Sequence, residues 1–234
     1  MKLAVIPARG GSRRIPRKNI RPFAGQPMIA HTIRTAVDSG LFDRVIVSTD
    51  DEEIAGISRG FGAETPFVRP TALADDHTGT NAVVKHALQW FSERGEPFEF
   101  ACCLYATAPF LQARFVQEGL EALRSSGKSF AFSVTTFAFP IQRALRITPG
   151  GTVEPLAAER MLTRSQDLEE TYHDAGQFYW GRAEAFMSDA PLFSNIAVPV
   201  ILPRYFVQDI DTLEDWQCAE HMHRALQLAG MLSK

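Results

Sequence analysis

The stretch IPARGGSRRIPRKN, residues 6–19, follows a short apolar run near the start of the chain and has the residue types that bind phosphate. Two adjacent glycines, Gly10 and Gly11, allow a backbone to approach a ligand closely, and Ser12 adds a hydroxyl. Four side chains can converge on phosphate oxygens: Arg9, Arg13, Arg17 and Lys18. The dinucleotide pattern G-x-G-x-x-G and the P-loop pattern G-x-x-x-x-G-K-S/T are both absent. The stretch predicts a phosphate cradle with side-chain charge, and the alternative is a solvated basic turn.

The basic charge of the chain is concentrated in this loop. Residues 9–21 hold six of the 24 lysine and arginine side chains and no acidic one, although the chain has 27 acidic residues and a formal net charge of −3. A protein that binds nucleic acid or a membrane surface spreads its basic charge over a face. One basic loop on an acidic body favours a pocket for a small polyanion. We therefore expect neither nucleic acid nor a membrane as a partner.

A second group of polar residues lies near the end of the chain, in VQDIDTLEDW, residues 207–216. We expect RYFVQDID, residues 204–211, to be a strand, along which side chains alternate between faces. Asp209 and Asp211 are two residues apart, so they would point the same way and could share one Mg²⁺ ion with the phosphates of a substrate. The alternative is that the two acids only cap the following helix and form a turn.

These residues need a scaffold, and the rest of the sequence predicts a mostly parallel α/β sheet flanked by helices. Short apolar runs, typical of strands buried on both faces, alternate with segments of helical periodicity. The predicted strands are 2–8, 44–49, 65–70, 100–107, 130–135, 176–182, 198–202 and 204–211, and the predicted helices are 29–40, 51–62, 78–92, 114–126 and 212–229. In such a Rossmann-like fold the ligand lies over the carboxyl ends of the strands, where the loops after residues 7, 105 and 208 should meet.

We expect a single domain over residues 1–234, because the chain is long for one core and short for two. Residues 136–175 break the alternation, with prolines and a glycine pair among apolar side chains, and we interpret them as an excursion from the sheet that serves dimerisation. Three cysteines without C-x-x-C spacing favour a reducing compartment, and no run approaches the roughly 18 apolar residues of a membrane span. The sequence therefore predicts a soluble, cytoplasmic homodimer.

Three of these stretches together resemble one family. IPARGGSRRIPRKN, RPTALAD at 69–75 and DIDTLED at 209–215 are similar to motifs of the acylneuraminate cytidylyltransferase family, and the resemblance extends over nearly the whole chain. It implies the nucleotide-diphospho-sugar transferase type of fold, CTP as a substrate, a triphosphate held by Arg9 and Lys18, and Mg²⁺ held by Asp209 and Asp211. The implied nucleotide-binding residues are Ala8, Arg9, Gly10, Gly11, Ser12, Lys18, Asn19, Arg69 and Thr80. The last three of these would fix the cytidine part.

A departure from the family pattern indicates the sugar acid. YATAPFL at 105–111 stands where members that act on sialic acid carry QPTSPLR. Together with FPIQRAL at 139–145 and RSQDLEETYHDAGQFYWG at 164–181, it resembles the branch that acts on pseudaminic acid. The implied sugar-binding residues are Tyr105, Gln142, Arg143, Arg164, Gln166, His173, Asp174 and Gln177. Arg143 or Arg164 would pair with the sugar carboxylate, while the alternative for His173 is a hydrogen bond within the excursion.

The implied reaction joins CTP and a nine-carbon 2-keto sugar acid to give the CMP-sugar and pyrophosphate. Arg9, Arg13 and Lys18 would stabilise the departing pyrophosphate. The base that accepts the hydroxyl proton would be either Asp211 or a hydroxide on the metal. Open alternatives are the same reaction on N-acetylneuraminic or legionaminic acid, a glycosyltransferase that uses a DxD metal motif, and a nucleotide-binding protein without catalysis.

Overall fold

The computed structural model describes residues 1–75 and 78–232, and its centre is a six-stranded sheet with helices on both faces. The strands are β1 (Lys2–Pro7), β2 (Pro22–Phe23), β3 (Gln26–Pro27), β4 (Arg44–Ser48), β5 (Phe100–Leu104), β6 (Phe130–Thr136), β7 (Leu145–Ile147), β8 (Val153–Pro155), β9 (Tyr172–Arg182) and β10 (Ala197–Ile201). The α-helices are α1 (Met28–Asp38), α2 (Glu52–Gly60), α3 (Thr80–Ser92), α4 (Ala113–Ser126), α5 (Ala183–Met187) and α6 (Leu213–Leu228). Within the described ranges, no helix has both the length and the apolar character needed to cross a membrane.

Five of the six strands of the central sheet run in the same direction, which confirms the mostly parallel α/β fold. The strand order is β10-β6-β9-β5-β1-β4. β1 pairs in parallel with β4 and β5, and β10 pairs in parallel with β6, whereas β9 is antiparallel to both β5 and β6. Because β9 is reversed, its first residues lie at the edge of the sheet where β5 and β6 end.

Both faces of the sheet are buried, as the apolar strands predict. On β1, Ala4 and Ile6 pack into the layer that contains the apolar faces of α1, α4 and α6. Leu3 and Val5 point the other way and pack with α3 and α5. The central strands β1 and β5 therefore have no solvated face, whereas the edge strand β10 exposes Pro199 and Ile201.

Two helices next to the site, α2 and α6, begin at side-chain caps. Thr212 and Asp215 form a capping box at the start of α6, and Asp51 caps α2 by accepting a hydrogen bond from the Ile54 amide. Each cap satisfies backbone donors that a helix start leaves unpaired. Both starts are therefore fixed close to the loops that carry polar residues.

Two of the predicted strands do not form. The segment at 64–70 makes only isolated parallel bridges to β4 and its following loop, Ile46 with Glu64 and Thr49 with Val68. Pro66 and Pro70 in this segment have no amide hydrogen to donate to a ladder. Residues 204–211 are not a strand either: a 3₁₀ turn at Arg204–Phe206 is followed by irregular backbone. The loop after residue 208 is thus not at a strand end.

The excursion from the sheet runs from 137 to 171, which corrects the predicted bounds of 136 and 175, because Thr136 ends β6 and Tyr172 begins β9. It contains the β7–β8 hairpin, which forms a separate two-stranded sheet. Its exposed large apolar side chains are Phe139, Ile141, Leu145, Ile147, Val153, Leu156 and Leu162. An apolar surface of this kind is unusual on a solvent-facing segment and is typical of one covered by another molecule.

Candidate functional site

A cleft of about 280 Å³ lies over the carboxyl ends of β1 and β5. It is lined by Pro7, Arg9, Ser12, Arg13, Arg14, Ile15, Lys18, Asn19, Arg69, Leu73, Asp75, Thr78, Thr80, Val83, Tyr105, Ala106, Thr107 and Asp211. The loops after residues 7 and 105 therefore meet, and Asp211 joins them. Among the predicted nucleotide-binding residues, Ala8, Gly10 and Gly11 are not part of this lining, and Ala8 is buried with its amide bonded to the Ser48 carbonyl.

Uncharged residues of the basic loop, residues 9–21, attach it to the core and to itself. Ile15 is 1% exposed and packs into the core. Asn19 is nearly buried, and its side-chain amide donates to the Arg9 carbonyl at 3.0 Å, which ties the two ends of the loop together. The Gly10 amide donates to the Asp50 carboxylate at 3.0 Å. The loop is thus packed against the core and hydrogen-bonded at both ends, unlike a solvated turn.

Two cations of the loop meet Asp211. The Lys18 ammonium donates to the Ile210 carbonyl at 2.7 Å and lies 3.4 Å from the Asp211 carboxylate. The Arg14 guanidinium lies 2.8 Å from the same carboxylate. Sequence reasoning did not single out Arg14, although it lies in the same basic run. These contacts bring residues almost 200 positions apart to one wall of the cleft.

Arg17 does not face the cleft, although the sequence suggested that it could bind phosphate. Its guanidinium pairs with Asp51 and with Glu53, at the start of α2. The basic side chains of the loop that line the cleft are therefore Arg9, Arg13, Arg14 and Lys18.

Arg69 is the most buried cation of the cleft, only 4% exposed. Its guanidinium donates to the Ser48 hydroxyl at 3.1 Å and to the Ser48 carbonyl. Burial lowers the pKa of Arg69 to about 10, with partial compensation from Asp50. The side chain therefore remains charged at neutral pH, in a place where an anionic or carbonyl-rich ligand would improve its solvation.

A chain of hydroxyl groups leads from the cleft to the start of β9. The Tyr105 hydroxyl lies 3.4 Å from that of Thr80, and the Tyr105 ring packs against Tyr179 with centroids 5.1 Å apart. Tyr179 in turn donates to Asp174 at 2.6 Å. Burial is the main cause that raises the pKa of both tyrosines, so both phenols are neutral donors. The sequence analysis did not single out Tyr179 as a residue of the site.

The strand argument for the geometry of the acidic pair was wrong, because the backbone at Asp209 and Asp211 is irregular. Asp211 lines the cleft and Asp209 is exposed beside it. Partial desolvation of its carboxyl raises the pKa of Asp209, and repulsion by Asp211 raises it further. Helix capping is done by Thr212 and Asp215, so the pair is not required as a cap.

The donor set of the acidic pair fits Mg²⁺. In the described part of the chain, no group of three or more histidine, cysteine, aspartate or glutamate side chains could hold a metal. Two carboxylates alone are a poor site for most ions, but Mg²⁺ is usually held by one or two carboxylates together with substrate phosphates. The repulsion between Asp209 and Asp211 is what a bound cation would relieve.

The predicted sugar-binding residues fall into two groups. Tyr105 lines the cleft, and Asp174 and Gln177 lie near it, where Gln177 is 3% exposed and donates to the Phe206 carbonyl. The other group does not line this cleft and makes local contacts: Gln142 with Glu169, Arg143 with Thr163 and Ser165, Arg164 with Asp167, and His173 with Phe137 and Asp174. Gln166 lines a separate cavity of the excursion.

The fold and the cleft define a class: an α/β protein in which a basic loop at a strand end and the carboxylates beside it suit a nucleoside triphosphate and a divalent cation. A family model described as cytidylyltransferase matches residues 3–225. The chain therefore belongs to the cytidylyltransferase family.

Individual relatives agree with this assignment. The chain is 40% identical to pseudaminic acid cytidylyltransferase of Campylobacter jejuni, over 95% of this chain and 96% of that protein. It is 32% identical to CMP-N,N'-diacetyllegionaminic acid synthase of Legionella pneumophila, over 94% and 95% of the two chains. A solved structure of CMP:2-keto-3-deoxy-manno-octonic acid synthetase complexed with CTP has the same fold, with a TM-score of 0.69 and 18% identity over 96% of this chain and 98% of that one.

Proposed function

We propose that this chain, as one domain over residues 1–234, transfers the cytidylyl group of CTP to pseudaminic acid, giving the CMP-sugar and pyrophosphate. The observation that carries the proposal is the convergence of the basic loop with Asp211 in one cleft of a cytidylyltransferase. The relative that is 40% identical is named for this sugar acid, which supports the choice of acceptor. Three free cysteines, two of them buried, are compatible with a reducing cytoplasm, where we place the reaction.

In the proposed reaction, the anomeric hydroxyl of the sugar acid attacks the α-phosphorus of CTP, and the bond to the bridging oxygen of pyrophosphate breaks. Arg9, Arg13 and Lys18 neutralise the charge that collects on the leaving group. Asp211 lines the cleft and accepts the hydroxyl proton. Mg²⁺ held by Asp209 and Asp211 would add charge neutralisation at the phosphates.

The nucleotide and the sugar would use different walls of the cleft. Asn19, Arg69 and Thr80 line the part that we assign to cytidine, and Tyr105 lines the part that we assign to the sugar. Arg143, Arg164 and the other polar residues of the excursion do not line the cleft of their own chain. We assign them to the sugar through a homodimer, in which the excursion of one copy covers the cleft of its partner.

The test is pyrophosphate release from CTP, UTP, ATP and GTP, each with pseudaminic acid and Mg²⁺. Because a site that hydrogen-bonds a base rejects one that leaves its polar groups unpaired, we expect CTP to react at least about 10²-fold faster than the others. Reactions without the sugar acid, and with EDTA, are the controls and should release no pyrophosphate. Equal rates with all four nucleotides, or release without the sugar acid, would refute the proposal.

A further inference from the structure

Arg17 differs from the other cations of the basic loop because it turns away from the cleft. Its guanidinium binds the Asp51 carboxylate with two hydrogen bonds, at 2.5 and 3.1 Å, and also pairs with Glu53. The Arg17 side chain is 39% exposed and that of Asp51 is 21% exposed. A bidentate pair fixes the orientation of both groups more strictly than a single contact between point charges. The pair therefore joins the basic loop to the start of α2.

The backbone at Arg17 is in a conformation that favours glycine. Its φ is +54°, in the left-handed region, which is unfavourable for a residue with a Cβ atom. Such a conformation persists only when the surroundings hold it in place. Since the next residue is Lys18, the turn at Arg17 sends one cation toward α2 and the other into the cleft.

The loop is attached to the same segment at its other end. The Gly10 amide donates to Asp50, and a Cβ atom at Gly10 would lie 2.7 Å from the Asp51 carboxylate. Asp51 also caps α2 through the Ile54 amide at 3.0 Å. The Arg17 guanidinium is the main cause that holds the pKa of Asp51 below its ordinary value, so this carboxylate is charged at neutral pH.

We infer that Arg17 is a positioning residue, which acts through Asp51 to hold the basic loop closed so that Lys18 and its neighbours face the nucleotide. The inference rests on the proposed function, because it concerns CTP at this same cleft. If the pair is broken, the loop samples other conformations and CTP must select the competent one. The apparent affinity for CTP then falls in proportion to the fraction of molecules whose loop is in the competent conformation. Saturating CTP holds the loop in that conformation.

The test compares Arg17→Ala with Arg17→Gly, Arg17→Lys and Asp51→Asn. Asn retains the helix cap, and Gly relieves the backbone strain while removing the same side chain. We expect KM for CTP to rise about 10-fold in Arg17→Ala, Arg17→Gly and Asp51→Asn, with kcat and KM for the sugar acid nearly unchanged. Arg17→Gly should melt at a higher temperature than Arg17→Ala and yet show the same rise in KM. Arg17→Lys should raise KM for CTP less than Arg17→Ala does.

Two further variants separate positioning from general stability. Arg17→Ala combined with Asp51→Asn should raise KM for CTP no more than Arg17→Ala alone, because the pair with Asp51 is already lost in Arg17→Ala. Arg59→Ala removes a comparable ion pair with Glu52 on the same helix and should leave KM unchanged. An unchanged KM in Arg17→Ala, or an equal rise in Arg59→Ala, would overturn the inference. Absence of turnover in the wild type would instead refute the proposed function.

Discussion

Neighbouring residues of the basic loop have different tasks, and their types alone do not reveal this. Lys18 enters the cleft and contacts the Ile210 carbonyl, whereas Arg17 binds two acids of α2. The sequence predicted a set of cations around phosphate, because glycines and basic side chains after a buried strand have that chemistry. It could not predict the direction of each side chain, because the direction depends on the left-handed turn at Arg17 and on the acids that follow β4.

At the scale of single residues, Lys18→Ala tests the role of the cation that reaches the cleft. We expect kcat to fall by about 10²-fold or more, as happens when one preorganised donor to a developing charge is lost. The melting temperature should change little, because the ammonium is not a core group. Lys85→Ala is the control, since Lys85 pairs with Asp189 outside the cleft. Near wild-type turnover in Lys18→Ala would show that this lysine does not serve the reaction.

At the scale of elements, the sequence predicted the central strands and helices well because each has a clear apolar period. The strand prediction failed at 65–70 and 204–211, where apolar residues do not form a continuous ladder with a neighbouring strand. Prolines remove ladder donors from the first segment. In the second, the Gln177 side chain takes the Phe206 carbonyl that a strand would use for pairing. Such a contact comes from a residue far away in sequence and cannot be read from local composition.

The segment before α6 gives a second prediction, the separation of metal binding from helix capping. Asp209→Asn with Asp211→Asn should abolish Mg²⁺-dependent turnover and leave the melting temperature nearly unchanged, because two adjacent carboxylates repel each other without a cation. Thr212→Ala should do the opposite and cost about 1 kcal/mol of stability, with turnover retained in the folded protein. Thermal melts and rates with and without Mg²⁺ measure both effects. Full turnover in the double Asn variant would contradict the metal assignment.

The packing of α4 on β9 leads to a third prediction. A Cβ atom at Gly119 would lie 2.7 Å from the Phe178 ring and 2.9 Å from the Trp180 ring. Gly119→Ala should therefore destabilise the fold by about 1–3 kcal/mol. Gly56→Ala on α2 is the matched control, since its nearest contact would be 3.9 Å away, and it should gain up to about 1 kcal/mol from helix propensity. Urea unfolding measures both, and equal stabilities would refute the packing argument.

At the scale of the whole molecule, the excursion is the segment whose large apolar side chains stay exposed in a single chain. Leu162 is 97% exposed and Phe139 is 84% exposed, in the segment that also carries half of the predicted sugar-binding residues. The sequence indicated this segment because the alternation of strands and helices is interrupted there and because the segment is rich in apolar residues. It could not show that the polar residues lie apart from the cleft of their own chain, because that depends on how the excursion leaves the sheet between β6 and β9.

The fourth prediction is a homodimer through the excursion. Light scattering at micromolar concentration should give twice the mass of one chain, because the exposed apolar side chains need cover. Leu162→Glu should shift the protein toward the monomer. Leu228→Glu, at a position that is 91% exposed on α6, should leave the dimer intact. A monomeric wild type, or an equal effect of the two substitutions, would contradict the prediction of a homodimer through the excursion.

The central claim is that this cleft activates pseudaminic acid with CTP, and the most direct measurement is kcat/KM for pseudaminic acid against N-acetylneuraminic acid. The two sugars differ in ring stereochemistry and in the placement of amides and hydroxyls. A missing hydrogen bond costs a specific site about 10⁴-fold, whereas a poor apolar fit costs about 10²-fold. We predict a preference for pseudaminic acid of at least about 10³-fold, between those limits. Comparable values for the two sugars, or a preference for N-acetylneuraminic acid, would contradict the claim.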